Sequence, residues 1–225
     1  MATAADPEEQ DLYDDPFYND KAGLRSRLLA DRRALSPEWR ESTATALAGQ
    51  ALGLLPAAGP TSVPGPPEGI GPVAVGPVAA YVSVGAEPGT RPLLDLLHRR
   101  GIPVLLPVLL PDNDLDWAAY QGAEHLLPAG RGLLEPDGPR LGPAAVCAAA
   151  VVLLPGLAVD RRGLRLGRGG GSYDRVLARL DRAGARPLLA TLLYDTELLE
   201  RVPAEPHDRP VHAAVTPSGV HRFPA

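Results

Sequence analysis

The spacing of apolar residues near the start of the chain predicts two consecutive helices. Leu24, Leu28 and Leu35 fall on one helical stripe, which indicates a helix beginning near residue 21. Ser36-Pro37 then supplies an N-cap residue and a first-turn proline for a second helix that ends near Leu55. Together these segments predict an N-terminal helical hairpin.

Beyond residue 77, short apolar runs alternate with amphipathic segments. The runs predict strands at 78–84, 102–110, 115–120, 148–155, 187–193 and 212–216. Helices are predicted between them, one capped by Thr90 and closed by Gly101, and another that starts at Tyr173 and ends at Gly184. The run at 148–155 is apolar throughout, as expected for a strand covered on both faces. This alternation predicts an α/β fold with a mostly parallel central sheet flanked by helices.

Composition divides the chain into one globular unit and two segments outside its core. Residues 1–20 carry seven acidic groups and no base, which predicts a disordered acidic tail. The stretch 59–77 is rich in proline and glycine and is predicted to be a mobile insert. We expect the rest of 21–225 to form a single α/β domain, because a chain of 225 residues with 45% hydrophobic content can bury one sizeable core.

Charge and hydropathy argue against several classes of partner. Outside the acidic tail the chain has 22 basic and 20 acidic groups, so a broad nucleic-acid footprint is not expected. No apolar run approaches the ~18 residues of a membrane span, and the acidic start does not resemble a signal peptide. The single cysteine, Cys147, excludes a disulfide framework within the chain. We therefore expect a cytoplasmic protein without membrane or nucleic-acid partners. A monomer is also expected.

The segment 165–174, RLGRGGGSYD, places four glycines between a predicted strand and a predicted helix. At such a junction, free backbone N–H groups and the helix dipole favour an anion, and glycine lets phosphate oxygens approach the backbone. The surrounding charges are mostly positive, with Asp160 and Asp174 opposing arginines at 161, 162, 165, 168 and 175. The motif is neither a dinucleotide fingerprint nor a Walker A loop. Phosphate binding is the favoured interpretation, and a flexible surface turn with solvated arginines is the alternative.

Lysine is used only once among the 22 basic residues, at Lys21. A chain this biased toward arginine is expected to keep a lysine where a compact, flexible ammonium is needed. Arg25 lies one helical turn further on and shares its face, so the two residues could form a cationic clamp. The alternative is a lysine left by chance on a solvated face.

Five segments, in order, resemble one enzyme family. The segment VVLLPGLAVDRRGLRLGRGGGSYDRVL is similar to the signature of 5-formyltetrahydrofolate cyclo-ligases, also called 5,10-methenyltetrahydrofolate synthetases. The other matching segments are KAGLRSRLLADRRALS, YVSVGAEPGT, GRGLLEP and VPAEPHDRPVHAAVTPSGV. The resemblance covers about residues 21–220 and leaves the acidic tail and the insert outside. Five matches in family order are more specific than any single motif.

This resemblance implies an enzyme that uses ATP and Mg²⁺ to convert 5-formyltetrahydrofolate into 5,10-methenyltetrahydrofolate, with release of ADP and phosphate through a phosphorylated formyl intermediate. Phosphorylation suits the chemistry, because a formamide oxygen is a weak nucleophile and a poor leaving group. The folate and ATP are then the small-molecule partners. No covalent protein nucleophile is expected, since such a reaction needs positioning and charge neutralisation instead.

Site residues follow from the resemblance by position. Arg168 is expected to stabilise charge during the reaction, and two carboxylates, Asp174 and Asp208, match the family's magnesium positions. The expected ATP-binding residues are Lys21, Arg25, Arg165, Leu166, Gly167, Arg168, Gly169, Gly170, Gly171, Ser172 and Tyr173. The expected substrate-binding residues are Glu87, Arg168, Gly169, Gly170, Gly171 and Ser172.

The chain departs from the family pattern at three positions. Ser172-Tyr173 stands where members usually have two tyrosines, Gly170 where some carry lysine, and His212 where aspartate is frequent. These departures bear on affinity for the folate. Two other functions stay open from the sequence: another ATP- or phosphate-binding enzyme, such as a small-molecule kinase or phosphosugar enzyme, and a non-catalytic folate-binding relative.

Overall fold

The computed structural model describes residues 20–55, 76–205 and 208–224. Almost all of the predicted acidic tail, and the predicted insert up to residue 75, lie outside the described residues. The predicted helical hairpin is present as α1 (Lys21–Ala34) and α2 (Pro37–Ala51). Asp20 caps α1 by accepting from the amides of its first turn, and Ser36 caps α2 as expected. The confirmed hairpin places the N-terminus of α1, with Lys21, beside the rest of the domain.

Twelve strands and two further α-helices follow among the described residues. The helices are α3 (Arg91–Arg99) and α4 (Ser172–Arg182). The strands are β1 (Val78–Ala79), β2 (Val104–Leu109), β3 (Leu115–Ala119), β4 (Leu126–Pro128), β5 (Leu134–Pro136), β6 (Val151–Pro155), β7 (Ala158–Asp160), β8 (Arg165–Leu166), β9 (Leu188–Leu192), β10 (Leu198–Leu199), β11 (Ala213–Thr216) and β12 (Gly219–Arg222).

Seven of these strands form the central sheet, in the order β12-β11-β9-β6-β1-β2-β3. The five inner strands run parallel, and only the edge strands β12 and β3 are antiparallel to their neighbours. Smaller sheets are formed by β10-β7-β8 and by β4-β5. The predicted class, a mostly parallel sheet flanked by helices, is confirmed.

The first predicted strand is shorter in the structure than the sequence indicated. The run 78–84 pairs with its neighbours only over β1, and the chain then bends toward α3. Ser83 and Thr90 close this bend reciprocally: the Ser83 amide donates to Thr90 Oγ1 at 2.9 Å, and the Thr90 amide donates to Ser83 Oγ at 3.1 Å. Thr90 is the N-cap residue of α3, but its hydroxyl makes no cap bond to that helix. Thr90 therefore occupies the predicted N-cap position, while its hydroxyl accepts from Ser83 instead of from the helix.

Apolar clusters cover both faces of the central sheet. Leu47 of α2 and Leu94 and Leu97 of α3 are buried on one face. On the opposite face, α4 buries three side chains against the sheet, those of Val176, Leu177 and Leu180. A third cluster joins Leu24 and Leu28 of α1 to β7, β8 and the segment around Val202. The first turn of α1 is thereby fixed next to the chain that follows β8.

Candidate active site

A cavity of about 690 Å³ opens beyond the carboxyl ends of β1, β2 and β6. The chain leaves β1 toward β2 and β3 on one side of the sheet and later returns to add β6, β9 and β11 on the other. Open α/β sheets bind ligands at such a reversal of strand order. Every predicted site residue lines this cavity: Lys21, Arg25, Glu87, each residue from Arg165 to Asp174, and Asp208.

The glycine-rich loop reaches the cavity between β8 and α4. Gly171 is the N-cap residue of α4 in a left-handed conformation (φ 75°) that favours glycine. At Gly167 a Cβ atom would lie 2.8 Å from Arg165 Nη1, so a side chain there would displace this guanidinium. Arg25 donates from Nε to the Gly167 carbonyl at 2.9 Å. The glycines therefore permit the α4 N-terminus and two arginines to meet at one wall.

Arg165 is built into that wall. Its side chain is only 7% exposed, and it donates to the Pro155 carbonyl at 2.9 Å and to Asp174 Oδ1 at 3.2 Å. Burial lowers the pKa of Arg165, and the Asp174 carboxylate opposes that shift. The buried Nε atom has no hydrogen-bond partner within the described part of the chain. The guanidinium of Arg165 thus places a positive charge at the carboxyl end of β6.

The other arginines near the loop divide between cavity and surface. Arg168 lines the cavity, and its Nη1 lies 2.9 Å from Glu87 Oε1. Three of them pair elsewhere: Arg161 with Glu200, Arg162 with Asp160, and Arg175 with Asp112. The positive charge around the loop is therefore smaller than the sequence suggested, because these three arginines pair with carboxylates away from the cavity lining.

Lys21 and Arg25 lie on the cavity side of α1, as predicted from their spacing. The Lys21 ammonium is 2.7 Å from Asp208 Oδ2 and 3.3 Å from Glu205 Oε1. Asp208 also accepts from the Glu205 amide at 2.7 Å. The predicted phosphate cation and one predicted metal carboxylate are thus direct partners in this structure.

Each predicted metal carboxylate is engaged by a cation. Asp174, in the first turn of α4, pairs with Arg165, just as Asp208 pairs with Lys21. Across the described ranges, no group of three or more histidine, cysteine, aspartate or glutamate side chains is arranged to hold a metal. The arrangement therefore differs from a cage made of protein ligands alone.

A second wall of the cavity is apolar and was not assigned from the sequence. It is lined by Val82, Val84, Pro107, Leu109, Leu115, Leu133 and Leu134. Tyr81 and Tyr173 also line the cavity, and burial raises the pKa of both phenols well above the ordinary range. Glu135 and Arg131 join this side from the segment GRGLLEP, whose resemblance to the family was the one signal that could have pointed to them.

The departures from the family pattern fall in two places. Ser172 and Gly170 line the cavity, so they bear directly on what the cavity binds. His212 does not line it; its Nδ1 accepts from the Leu189 amide at 2.8 Å, between β9 and β11. Only the loop departures can therefore contact a ligand in the cavity.

Comparisons with known proteins agree on one family. The model of the 5-formyltetrahydrofolate cyclo-ligase family matches residues 75–217. A 5-formyltetrahydrofolate cyclo-ligase of Mycolicibacterium smegmatis is 41% identical over 202 residues, covering 88% of this chain and 93% of the relative. An Escherichia coli enzyme of the same name is 34% identical over 145 residues, covering 64% of this chain and 79% of the relative.

A solved structure supports the same conclusion. The NMR structure of Aquifex aeolicus 5,10-methenyltetrahydrofolate synthetase has a TM-score of 0.67 at 26% identity and covers 91% of this chain and 93% of its own. The family match spans the cavity walls from β1 to β11, including the glycine-rich loop. The chain therefore belongs to the 5-formyltetrahydrofolate cyclo-ligase family and is an enzyme of that activity.

Proposed function

We propose that this enzyme uses ATP to convert 5-formyltetrahydrofolate into 5,10-methenyltetrahydrofolate in the cavity described above. The observation that carries this proposal is the junction of two unlike walls. One wall has cations and a glycine-rich helix N-terminus, which suit phosphates. The other is apolar, which suits a flat heterocycle. Arg168 and Glu87 pair at 2.9 Å across the join, where the two substrates would meet.

In the proposed reaction the formyl oxygen attacks the γ-phosphorus of ATP, and the bond from that phosphorus to ADP breaks. N10 of the folate then attacks the formyl carbon, loses its proton, and expels inorganic phosphate with the former formyl oxygen. The product carries the methenyl bridge between N5 and N10. Lys21, Arg25 and Arg165 bind and orient the phosphates, and Arg168 stabilises the charge that develops on the transferred group.

The family implies Mg²⁺, and two carboxylates of the cavity suit this ion if substrate phosphates complete its coordination. Mg²⁺ is commonly bound by one or two carboxylates together with substrate phosphates, and Asp174 and Asp208 both line the cavity. When bound, the ion would neutralise phosphate charge. Both carboxylates are paired with phosphate-binding cations in this structure, so we expect the ion to enter together with ATP.

Turnover tests the proposal directly. Purified enzyme is mixed with 5-formyltetrahydrofolate and Mg-ATP, and the methenyl chromophore and ADP are measured in the same sample. We expect one ADP for each methenyl group formed, and no product without ATP or in chelator. ADP formation without the chromophore would indicate a kinase, and folate binding without ADP formation would indicate a non-catalytic relative.

A matched pair of variants tests the location of the site. Arg168→Gln should lose most turnover, because it removes the cation at the join of the two walls. Arg175→Gln is the control, since Arg175 follows the same loop but pairs with Asp112 and does not line the cavity. Equal losses in both variants, or none in either, would contradict the proposed site.

A further inference from the structure

Glu135 is a carboxylate that lines the cavity among the apolar residues of β2, β3 and β5. It lies on β5, in the small β4-β5 sheet, and its side chain is 16% exposed. Leu109, Leu115, Leu133 and Leu134 line the same part of the cavity. Glu135 is not among the site residues that the family resemblance predicts.

The contacts of Glu135 fix its position without neutralising it well. Oε1 accepts from the Leu109 amide at 2.9 Å, which ties β5 to the end of β2. The nearest cation is Arg140, whose Nη2 is 3.9 Å from Oε2 and whose side chain is 47% exposed. A carboxylate in this setting loses hydration and gains little from a solvated partner. A neutral amide could accept the same bond from Leu109, so that bond alone does not require a charge.

The proposed function determines which edge of the folate faces Glu135. The N5 formyl group must lie beside the ATP phosphates, and hence beside the glycine-rich loop. The N3–H and 2-amino donors lie on the far edge of the pterin from N5, so they point away from that loop. Glu135 is held at the end of β2 by its bond to Leu109, whereas Arg165, at the start of the loop segment, donates to Pro155 at the end of β6. Because β1 lies between β6 and β2, Glu135 sits two strands away from that arginine.

We infer, resting on the proposed function, that Glu135 determines specificity by accepting hydrogen bonds from the N3–H and 2-amino groups of the pterin. Two adjacent donors match the two oxygens of a carboxylate in a bidentate pair. Oε1 can keep its bond to Leu109, because an ionised carboxylate has about four acceptor sites. Glu135 therefore reads the pyrimidine edge, while Arg168 and Glu87 act at the opposite, reacting edge.

Glu135→Gln separates this role from a structural one. The Gln carbonyl can still accept from Leu109, but its NH₂ group would face the pterin donors. We expect the Kd of 5-formyltetrahydrofolate, measured by calorimetry without ATP, to rise at least about tenfold. The Michaelis constant for ATP and the melting temperature should stay near wild type. Asp137→Asn is the control, since Asp137 is a half-exposed acid two residues away, paired with His125 outside the cavity lining.

A folate analogue sharpens the test. A 5-formyltetrahydrofolate whose 2-amino group is replaced by methyl should bind wild-type enzyme more weakly than the natural compound, and Glu135→Gln should abolish most of that difference. Unchanged folate affinity in Glu135→Gln, or equal discrimination against the analogue in both proteins, would overturn the inference. Tight folate binding without turnover in wild type would sink the proposed function but not the role of Glu135. A wild-type enzyme that binds no folate would overturn both.

Discussion

Neutralising Glu87 should tighten ATP binding while it weakens folate binding. Glu87 Oε1 accepts from Arg168 Nη1 at 2.9 Å, and Glu87 Oε2 accepts from the Val84 amide at 2.9 Å. Glu87→Gln keeps an oxygen for Val84 and presents NH₂ to the guanidinium, so Arg168 is released. ATP would then recruit a free arginine instead of one that must first leave a carboxylate.

The exposure of the pair limits the size of the effect. The Arg168 side chain is 51% exposed and that of Glu87 is 11% exposed, so water screens much of the attraction. A pair of this kind is worth about 0.2–1 kcal/mol. At about 1.4 kcal/mol per tenfold change, the variant should lower the Kd for ATP by roughly 1.4- to 5-fold.

Calorimetry with a non-hydrolysable ATP analogue and Mg²⁺ measures this directly. Glu124→Gln serves as the control, because Glu124 is exposed and does not line the cavity. Affinity for the folate should fall in Glu87→Gln and stay unchanged in the control. An ATP affinity that is unchanged or weaker in Glu87→Gln would refute the reasoning, since it would mean that Arg168 is not held back by this carboxylate.

Three further predictions concern charges at other places. Lys21→Arg should raise the Michaelis constant for ATP or lower kcat by at least about tenfold, without changing the melting temperature, because a planar guanidinium cannot occupy the position of the ammonium. Glu197→Gln should lower the free energy of unfolding in urea by about 3–5 kcal/mol, because it leaves the buried Arg32 without the carboxylate 2.6 Å away. Arg179 holds the pKa of Asp114 below its ordinary value, so this pair stabilises the fold above about pH 4 and the contribution is lost as pH falls through the lower folded pKa. Thermal melts of Asp114→Asn should therefore show lower stability at neutral pH and a smaller further loss in acid.

Each of these expectations can fail separately. Wild-type kinetics in Lys21→Arg would contradict the phosphate-binding role and favour the alternative, a lysine on a solvated helix face. A loss below about 1 kcal/mol in Glu197→Gln would show that solvent or rearrangement replaces the missing charge. If wild type and Asp114→Asn lose the same amount of thermal stability in acid, the acid sensitivity must come from other carboxylates.

Local patterns predicted the features whose causes are local. Ser36 caps α2 as expected, and the glycine-rich segment precedes α4 and lines the cavity, because caps and loop conformations depend on a few adjacent residues. Contacts between residues that are separated in the sequence could not be predicted from such local patterns. Thr90 bonds Ser83 instead of its own helix, and Glu135 meets an amide 26 positions away.

The pairing of opposite charges in the cavity affects the rate at which ATP associates with the enzyme. Five cations and six carboxylates line it, and the Arg168, Arg165 and Lys21 side chains each contact one of the carboxylates. Paired charges project little field into solvent, so ATP approaching from a distance experiences little attraction. We expect its association rate to vary little with ionic strength, unlike that of an enzyme with an open basic cleft. Recognition of the nucleotide would then begin at contact, when each phosphate displaces a carboxylate from its arginine or lysine.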